Sequence, residues 1–365
     1  MQNARSHRTG PRAGRALVRA LGLLLTVLVV GAAAIQGGCG SMGEEDVRSG
    51  ILALEKNARF REALRTIEPE GWDAPLRYAH FPRGESALLP DGDAGPDGPA
   101  GSPGADPPEA GASAAPLVLV HGTPDTMCAF GPLLFGEGGL AGRHDVYAIE
   151  VVGHGMAGGR GAGVTFQSCA DHVAASIAAL GLEGVTLVGN SYGGEFCWRA
   201  ALDRPDLIAR LVLIDSSGLP RAPEEFLPEE VKMREWGFAA RLGYLLNSEP
   251  RVGHALDPHF DGGAPAERVR EVFLCLENRG NWNATIDLAR DEEGTRADEL
   301  GSLMQPTLLV FGEGDIAYPP DTFGAEFARR IPGARLEVVA GAGHYPHESD
   351  PAVVARLIDG FARGR

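Results

Sequence analysis

The residues of this chain best placed for chemistry include a serine between a predicted strand and a predicted helix. Ser191 occupies the centre of Gly189-Asn190-Ser191-Tyr192-Gly193, which follows the apolar run Val185–Val188 and precedes a helical pattern. A strand, a sharp turn and a helix in this order raise the serine hydroxyl above the edge of a sheet. The start of the helix, which stabilises negative charge, then points at the same place. The sequence Gly-x-Ser-x-Gly can arise by chance in a chain with 51 glycines. The prediction of a serine nucleophile therefore depends on the strand before the motif and the helix after it.

A serine hydroxyl becomes a strong nucleophile only when a base takes its proton. His344 is the candidate base and lies in Gly343-His344-Tyr345-Pro346, directly after the last predicted strand. Asp315 is the candidate acid that orients the histidine, and it follows the preceding predicted strand in Gly312-Glu313-Gly314-Asp315. The interval between them accommodates one helix and one strand, which brings both side chains to the same edge of a sheet. Ser191, Asp315 and His344 therefore form the predicted catalytic triad.

Two members of this triad have a competitor elsewhere in the sequence. Asp215 ends an earlier predicted strand and is the alternative acid, although the Gly-x-Gly-Asp sequence favours Asp315. His347, three residues after His344, is the alternative base, and we expect it at the site entrance or on the surface. The prediction thus rests on Asp315 and His344, with Asp215 and His347 as the residues to test against them.

Two further histidines follow predicted strands, and we expect them to shape loops rather than to transfer protons. His121 begins His121-Gly122-Thr123-Pro124, and His154 lies in Gly153-His154-Gly155. The sequence contains no cluster of histidine, cysteine and aspartate at the spacing of metal ligands. We therefore predict neither a metal site nor a cofactor.

The elements that would position these residues alternate regularly between strand and helix. Short, nearly continuous apolar runs predict strands of a parallel sheet that is covered on both faces. The predicted strands are Leu76–Phe81, Leu117–His121, Asp145–Val152, Val185–Gly189, Ile208–Asp215, Thr307–Gly312 and Arg335–Val339. The predicted helices are Cys169–Leu180, Tyr192–Leu202, Asp321–Ile331 and Pro351–Phe361. This alternation predicts an α/β fold with a doubly wound, mostly parallel sheet, whose sites lie beyond the carboxyl ends of the strands.

The segment from about residue 217 to residue 303 interrupts this alternation, because it contains no strand pattern. Aromatic side chains such as Trp236, Phe238 and Trp282 lie among charged residues there, in a pattern typical of amphipathic helices. We expect the segment to form an inserted helical cap over the site, where it shapes the substrate pocket.

From about Leu76 to Phe361 the chain resembles the α/β-hydrolase superfamily, and within it the lid-bearing ester hydrolases and carbon–carbon bond hydrolases. The resemblance implies a serine hydrolase with the triad described above. Five segments in the family's order carry it: His121-Gly122-Thr123-Pro124, Gly153-His154-Gly155, the Ser191 turn, the Asp315 loop and the His344 loop.

An oxyanion hole follows from the same chemistry. Attack of a serine on a carbonyl leaves a negative oxygen that needs two hydrogen-bond donors, generally backbone amides. The amide of Tyr192, directly after the nucleophile, is expected to be one donor. By resemblance to the family, the amide of Thr123 is the other. Thr123-Pro124 departs from the glycine-rich form of this loop that lipases and many carbon–carbon hydrolases have.

The sequence is compatible with three functions. The leading one is hydrolysis of a carboxylic ester through an acyl-enzyme, with a small-molecule substrate that has an apolar acyl part. The second is a carbon–carbon bond hydrolase of the meta-cleavage type, which Gly-Asn-Ser-x-Gly-Gly around Ser191 resembles and Thr123-Pro124 does not. The third is a non-catalytic binding protein of the same fold, against which the intact triad argues.

The N-terminal segment predicts export of the protein from the cytoplasm. Five arginines precede the apolar run Ala20–Ile35, and no acidic residue occurs before Cys39. A basic start followed by an apolar run and the small pair Gly37-Gly38 is typical of a signal peptide, here residues 1–38. The pair before Cys39 resembles the lipobox of bacterial lipoproteins and implies lipidation of that cysteine. The alternative is an uncleaved anchor. Either way we expect localisation in the cell envelope, at a membrane surface.

The charge of the chain argues against nucleic acid as a partner. The formal net charge is −16, although the N-terminal segment is basic, so the remaining chain is more acidic still. An acidic surface repels the phosphate backbone.

Residues 39–75 connect this N-terminus to the predicted hydrolase domain, residues 76–365. The pattern from Glu44 to Ile67 is helical, and we interpret residues 39–75 as a membrane-proximal helical spacer. Residues 90–116 are rich in Pro, Gly and Ala and contain no aromatic side chain. Such a segment buries too little apolar surface to offset its ordering entropy, so we predict a disordered loop inserted in the domain.

Overall fold

A sheet of eight strands forms the centre of the computed structural model, which describes residues 42–69, 72, 75–84, 115–157, 163–292 and 294–365. The strands follow the spatial order β1-β2-β4-β3-β5-β6-β7-β8. The first two are antiparallel to their neighbours, and all pairs from β4 to β8 are parallel. The strands are Leu64–Ile67, Leu76–Phe81, Leu117–Val120, Val146–Ile149, Val185–Asn190, Ile208–Ile214, Thr307–Gly312 and Arg335–Val339, in chain order β1 to β8.

The central strands are apolar because both faces of the sheet are covered. In β3 every residue is buried, and alternate side chains belong to two different core clusters. Val118 and Val120 face one cluster, whereas Leu117 and Leu119 face the other, as the two-residue repeat of a strand requires. The α/β fold with a mostly parallel, doubly wound sheet is thereby confirmed.

Helices cover the two faces of the sheet and fill the interval between β6 and β7. Those of the body are Glu44–Leu52 (α1), Ala58–Ala63 (α2), Gly131–Phe135 (α3), Phe166–Ala179 (α4), Tyr192–Asp203 (α5), Ala325–Arg330 (α11), Pro346–Ser349 (α12) and Pro351–Ala362 (α13). The segment between β6 and β7, called the cap below, contains Pro228–Glu235 (α6), Phe238–Leu242 (α7), Glu249–Leu256 (α8), Ala266–Glu277 (α9) and Arg279–Asp291 (α10).

The membrane-proximal spacer predicted over residues 39–75 requires correction in its described part. Residues Leu64–Ile67 form strand β1 rather than helix and pair with β2 at the edge of the sheet. The apolar side chains of Val47, Ile51 and Phe60 are fully buried in a core cluster together with side chains from the sheet. Burial of this kind fixes a segment to the domain. Residues 42–69 are therefore part of the same body as the sheet and not a spacer.

Three sequence predictions fall outside the described residues: the signal peptide over residues 1–38, lipidation of Cys39, and nearly all of the loop predicted over residues 90–116. Within the described part of the chain, no helix is both long and apolar enough to span a bilayer.

Candidate active site

The predicted nucleophile lies at the sharp turn between β5 and α5. Ser191 has φ of 55° and ψ of −125°, a strained backbone conformation for a residue with a side chain. Its amide donates to the carbonyl of Ile214 (2.9 Å), and its carbonyl accepts from the amides of Gly194 (3.0 Å) and Ser217 (3.2 Å). These hydrogen bonds to β6, to the segment after it and to α5 hold the strained turn. The hydroxyl therefore lies at the N-terminus of a 12-residue helix, where partial positive charge accumulates.

Two glycines of the Gly-x-Ser-x-Gly sequence are required by close packing at this turn. A Cβ atom on Gly189 would collide with the carbonyl of Gly193, and one on Gly193 would collide with the carbonyls of Val120 and His121. Because these obstacles are backbone atoms, they cannot move aside cheaply. The motif is therefore explained by the geometry of the turn.

His344 and Asp315 meet at the carboxyl ends of β8 and β7. The Nδ1 atom of His344 lies 2.8 Å from Oδ2 of Asp315, and the other carboxyl oxygen of Asp315 accepts from the amide of Ala317 (2.8 Å). Burial by itself would raise the pKa of Asp315, but the charge and hydrogen bond of His344 outweigh this and lower it. Asp315 is thus an ionised partner that holds the proton of the imidazole on Nδ1.

The Asn190 side chain connects the His344 loop to the nucleophile turn. Its Nδ2 atom donates to the carbonyl of Ile214 (3.2 Å) and to the carbonyl of His344 (3.4 Å). With Nδ1 of His344 occupied by Asp315, Nε2 is the ring nitrogen left to accept a proton. The described residues contain no hydrogen bond between the Ser191 hydroxyl and this nitrogen. A reaction in which His344 takes the serine proton requires this contact to form.

Of the two competing residues, Asp215 lies where expected, at the end of a strand, whereas His347 does not lie at the expected place. Asp215 lies beside the triad, because β6 and β7 are neighbours in the sheet. His347 is fully buried and packs against the rings of Phe130 and Tyr345, at centroid distances of 5.2 and 6.1 Å. The expectation that His347 lies at the entrance or on the surface was therefore wrong. Burial, followed by the charges of Arg268 and His344, lowers the pKa of His347 to about 3.

The loop after β3, which contains the predicted oxyanion donor Thr123, lies directly against the nucleophile. A Cβ atom on Gly122 would be only 2.9 Å from the Cβ of Ser191, so this position needs a glycine. Gly122, the neighbour of Thr123, therefore lies against Ser191, and Tyr192 follows Ser191 as the first residue of α5. An oxyanion hole formed by the amides of Thr123 and Tyr192 stays a prediction.

Two buried histidines fix the shape of this loop, as expected for His121 and His154. Burial lowers the pKa of His121 to about 4 and that of His154 to about 3, so both rings are neutral. His121 donates from Nδ1 to the carbonyl of Gly122 (2.8 Å) and accepts at Nε2 from the amide of Val151 (3.1 Å). The Nε2 atom of His154 forms a hydrogen bond of 2.5 Å with the Thr123 hydroxyl.

A buried arginine of the cap joins the cap to the same loop. Arg268, on α9, is 1% exposed and binds Asp125 (2.6 Å), Glu348 (3.0 Å) and Glu271 (3.3 Å). Asp125 follows Thr123-Pro124, and Glu348 follows His344 by four residues. A single cap side chain therefore bridges the Thr123 loop and the His344 loop.

Further contacts between the cap and the site could not be expected from the sequence. The carbonyl of His259 accepts from the amide of His344 (3.0 Å), and the two rings lie 5.5 Å apart. Glu292, at the end of α10, accepts from the hydroxyls of Tyr192 (2.6 Å) and Tyr318 (3.0 Å). None of these cap residues belongs to a recognisable motif, since their roles depend on how the cap folds over the sheet.

Asp215, Asp315 and His344 form the group of three metal-type donors that the described residues bring together, with donor atoms within 4.8 Å of one another. A hydrogen bond between His344 and Asp315 occupies two of these donors. That bond explains why these donors lie together in the predicted triad, and the absence of a metal site remains a prediction.

Comparisons with known proteins place the described geometry in context. The chain matches the profile of the alpha/beta hydrolase family over residues 117–357. It is 24% identical over 245 residues to the esterase YbfF of Escherichia coli, covering 67% of this chain and 91% of that protein. It is 26% identical over 258 residues to the 2-hydroxymuconate semialdehyde hydrolase of Pseudomonas putida, covering 67% of this chain and 86% of that protein. A thermophilic esterase from Thermogutta terrifontis superposes with a TM-score of 0.62 at 22% identity, covering 82% of this chain and 98% of that one.

Proposed function

This chain belongs to the alpha/beta hydrolase family, and we propose that it hydrolyses a carboxylic ester of a small molecule through an acyl-enzyme on Ser191. The observation that supports this most is the hydrogen bond of 2.8 Å between His344 and Asp315, in loops that converge on the strained turn of Ser191. A base with its orienting acid beside a serine at a helix N-terminus is the arrangement that activates a hydroxyl.

In the proposed reaction Ser191 Oγ attacks the ester carbonyl carbon while Nε2 of His344 takes the hydroxyl proton. The amides of Tyr192 and Thr123 stabilise the negative oxygen. The carbon–oxygen bond then breaks, and His344 passes its proton to the leaving alcohol. Water attacks the acyl-enzyme with His344 again as the base, which releases the carboxylic acid and restores the serine hydroxyl. Asp315 stays ionised throughout and keeps the Nδ1 proton of His344 in place.

A panel of p-nitrophenyl esters of increasing acyl length, assayed beside a fluorophosphonate probe, tests this function. We expect both ester turnover and covalent labelling in the parent protein and neither in the Ser191→Ala variant. An apolar acyl part is proposed as well, so turnover should rise from acetate to longer esters. If the parent protein shows no labelling and no turnover, the proposal is contradicted, and a non-catalytic binding protein is favoured.

A second candidate reaction is cleavage of a carbon–carbon bond in a meta-cleavage product. Two observations favour it: the sequence Gly189–Gly194 around the nucleophile, and similarity to the 2-hydroxymuconate semialdehyde hydrolase. The same experiment separates the two reactions. Fluorophosphonate labelling of Ser191 without turnover of any ester would favour carbon–carbon cleavage, to be assayed next on a vinylogous 1,5-diketone.

We also propose that the enzyme is exported and held at a membrane surface in the cell envelope through its N-terminus, by a lipid on Cys39. The basic segment, the apolar run Ala20–Ile35 and Gly37-Gly38 before Cys39 support this. Fractionation of cells that express the parent protein or Cys39→Ala tests it. We expect a membrane fraction that the substitution abolishes, with Cys197→Ala as the control, since Cys197 is fully buried. A cytoplasmic protein that retains residues 1–38 would contradict the proposal.

A further inference from the structure

Two buried carboxyl groups lie side by side at the candidate active site. Asp215, at the end of β6, is fully buried, and its φ of 42° is unusual for a residue with a side chain. Its Oδ1 atom accepts from the amide of Gly312 (2.9 Å), two residues before the Gly314-Asp315 pair. Donor atoms of Asp215, Asp315 and His344 all lie within 4.8 Å of one another. The two acids are therefore close enough to influence each other's ionisation.

The local hydrogen bonds decide which acid holds the single negative charge that a buried pair accommodates. Asp315 accepts from two donors, Nδ1 of His344 and the amide of Ala317, both at 2.8 Å. Asp215 accepts only from Gly312, and its Oδ2 atom has no donor among the described residues. A carboxylate is stabilised by its donors, whereas a carboxylic acid needs an acceptor. The charge therefore belongs on Asp315 and the extra proton on Asp215.

We propose that Asp215 is a positioning residue for the reaction proposed above: its carboxyl keeps a proton on Oδ2 at neutral pH and donates it to Asp315. This hydrogen bond fixes the Asp315 carboxylate toward Nδ1 of His344 and leaves one negative charge beside the base. The inference rests on the proposed function for its catalytic consequence, but the protonation of Asp215 is measurable without any substrate.

The surrounding charges agree with this assignment. Burial, and then the charge of Asp315, raise the pKa of Asp215 well above its ordinary range, against the lowering by the Gly312 amide. The hydrogen bond from Asp215 contributes to lowering the pKa of Asp315. The other titratable groups that interact with the pair in the described structure are His344, His259 and Tyr345, and burial raises the pKa of Tyr345, which therefore stays neutral. Burial lowers the pKa of His259 to about 4, so His259 brings no charge.

Asp215→Asn is the variant that separates a protonated from an ionised Asp215. A carboxamide keeps the acceptor for the Gly312 amide and offers an N–H donor to Asp315 in place of the hydroxyl. If Asp215 is a protonated donor, the substitution keeps both the charge and the donor, so the acidic limb of the pH profile of kcat/KM should not move. If Asp215 is ionised, the substitution removes a negative charge beside the base. The acidic limb would then shift to lower pH by about one unit, which would overturn the proposal. Asp215→Leu offers no donor to Asp315 and should lower kcat by about tenfold or more, and a kcat unaffected by Asp215→Leu would overturn the proposal.

A spectroscopic measurement tests the same proton independently of activity. In protein labelled with ¹³C at the aspartate carboxyl carbon, one buried resonance should keep the chemical shift of a carboxylic acid from pH 6 to pH 8. That resonance should disappear in Asp215→Asn and persist in Ser191→Ala. Absence of any acid-form aspartate at pH 7 would contradict the inference even if Asp215→Asn failed to fold. Activity retained by Ser191→Ala would instead contradict the proposed function and leave the carboxyl measurement intact.

Discussion

Nδ1 of His344 and Oδ2 of Asp315 are joined by a buried hydrogen bond of 2.8 Å that crosses from the loop after β8 to the loop after β7. This bond selects one tautomer of the imidazole, with the proton on Nδ1, and therefore leaves Nε2 as the proton acceptor. The same bond stabilises the imidazolium that forms when the serine proton is transferred. The geometry thus assigns different tasks to the two residues, and each can be removed separately.

Asp315→Asn should lower kcat severely, by up to about 10⁴-fold, because a carboxamide can turn its N–H₂ toward the ring and select the other tautomer. The fold should remain intact, because the amide of Ala317 can still donate to the carboxamide oxygen. Steady-state kinetics on the best ester measure the effect. Asp321→Asn, on an exposed aspartate of the next turn, is the control and should leave kcat unchanged. Equal rates for the two variants would remove Asp315 from the triad.

Ser191→Ala and His344→Ala should each lower kcat by about 10⁴-fold or more, and the double variant should add little to either. The reason is that nucleophile and base act in one step, so losing one makes the other useless. Circular dichroism should show a native fold in all three variants. Ser302→Ala, on an exposed serine at the end of the cap, is the matched control. Losses that multiplied in the double variant would show that the two residues act independently.

The sheet could be predicted from the sequence where both of its faces are buried. Strands β5 and β7 are continuous apolar runs, and their predicted ends match the structure to within one residue. Strand β1 was not predicted, because Leu64-Arg65-Thr66-Ile67 lies at an edge with two exposed side chains. Only its pairing with β2 identifies it as a strand. Local periodicity cannot reveal such pairing.

The site could be predicted in part, for a related reason. The turn of Ser191 and the loops of Asp315 and His344 carry local sequence motifs, and the topology brings those loops to the same edge. The position of Asp215 beside Asp315 depends on β6 and β7 being neighbours, which no motif encodes. Burial of His347 likewise depends on Phe130, from a distant part of the chain. Sequence motifs predict the residues of the triad, whereas the surroundings of Asp215 and His347 depend on neighbours that only the folded structure provides.

Arg268→Met should destabilise the fold by about 3–5 kcal/mol, because it leaves buried carboxylates without their cation. Asp125, Glu271 and Glu348 surround this guanidinium, and burial has already raised the pKa of Glu348 to about 7 against the lowering by Arg268. Urea denaturation at pH 7.5 measures the free energy of unfolding. Removing an uncompensated carboxylate at the same time should recover part of the loss, so Arg268→Met with Glu348→Gln should be more stable than Arg268→Met alone.

Arg270→Met on the same helix is the control for this prediction. Arg270 pairs with Glu249 at the surface, where both side chains are 44% exposed. Solvent screens such a pair, so its loss should change the free energy of unfolding by less than about 1 kcal/mol. Similar effects of the two substitutions would mean that the buried network contributes no more than a surface ion pair.

His347→Leu should make the folded state more resistant to acid. The ring of His347 is fully buried, and neither of its nitrogens has a hydrogen-bond partner among the described residues. An apolar side chain of similar size therefore loses no hydrogen bond there and keeps the packing against Phe130 and Tyr345. At pH 8, where the histidine is neutral in both states, the free energy of unfolding should be equal or higher in the variant. The difference should appear as the pH falls.

The sign of that difference follows from the two pKa values. An unfolded histidine titrates near 6.5, whereas burial lowers the pKa of His347 to about 3 in the folded state. Between these values the unfolded chain binds one more proton than the folded one, so the parent loses stability as the pH falls below about 6.5. At pH 5 this loss is about 2 kcal/mol for one such histidine, and His347→Leu should abolish it. Urea denaturation at pH 8 and pH 5 measures the change, with His254→Leu as a control at an exposed histidine. An unaltered pH dependence in His347→Leu would show that this histidine accepts a proton without unfolding.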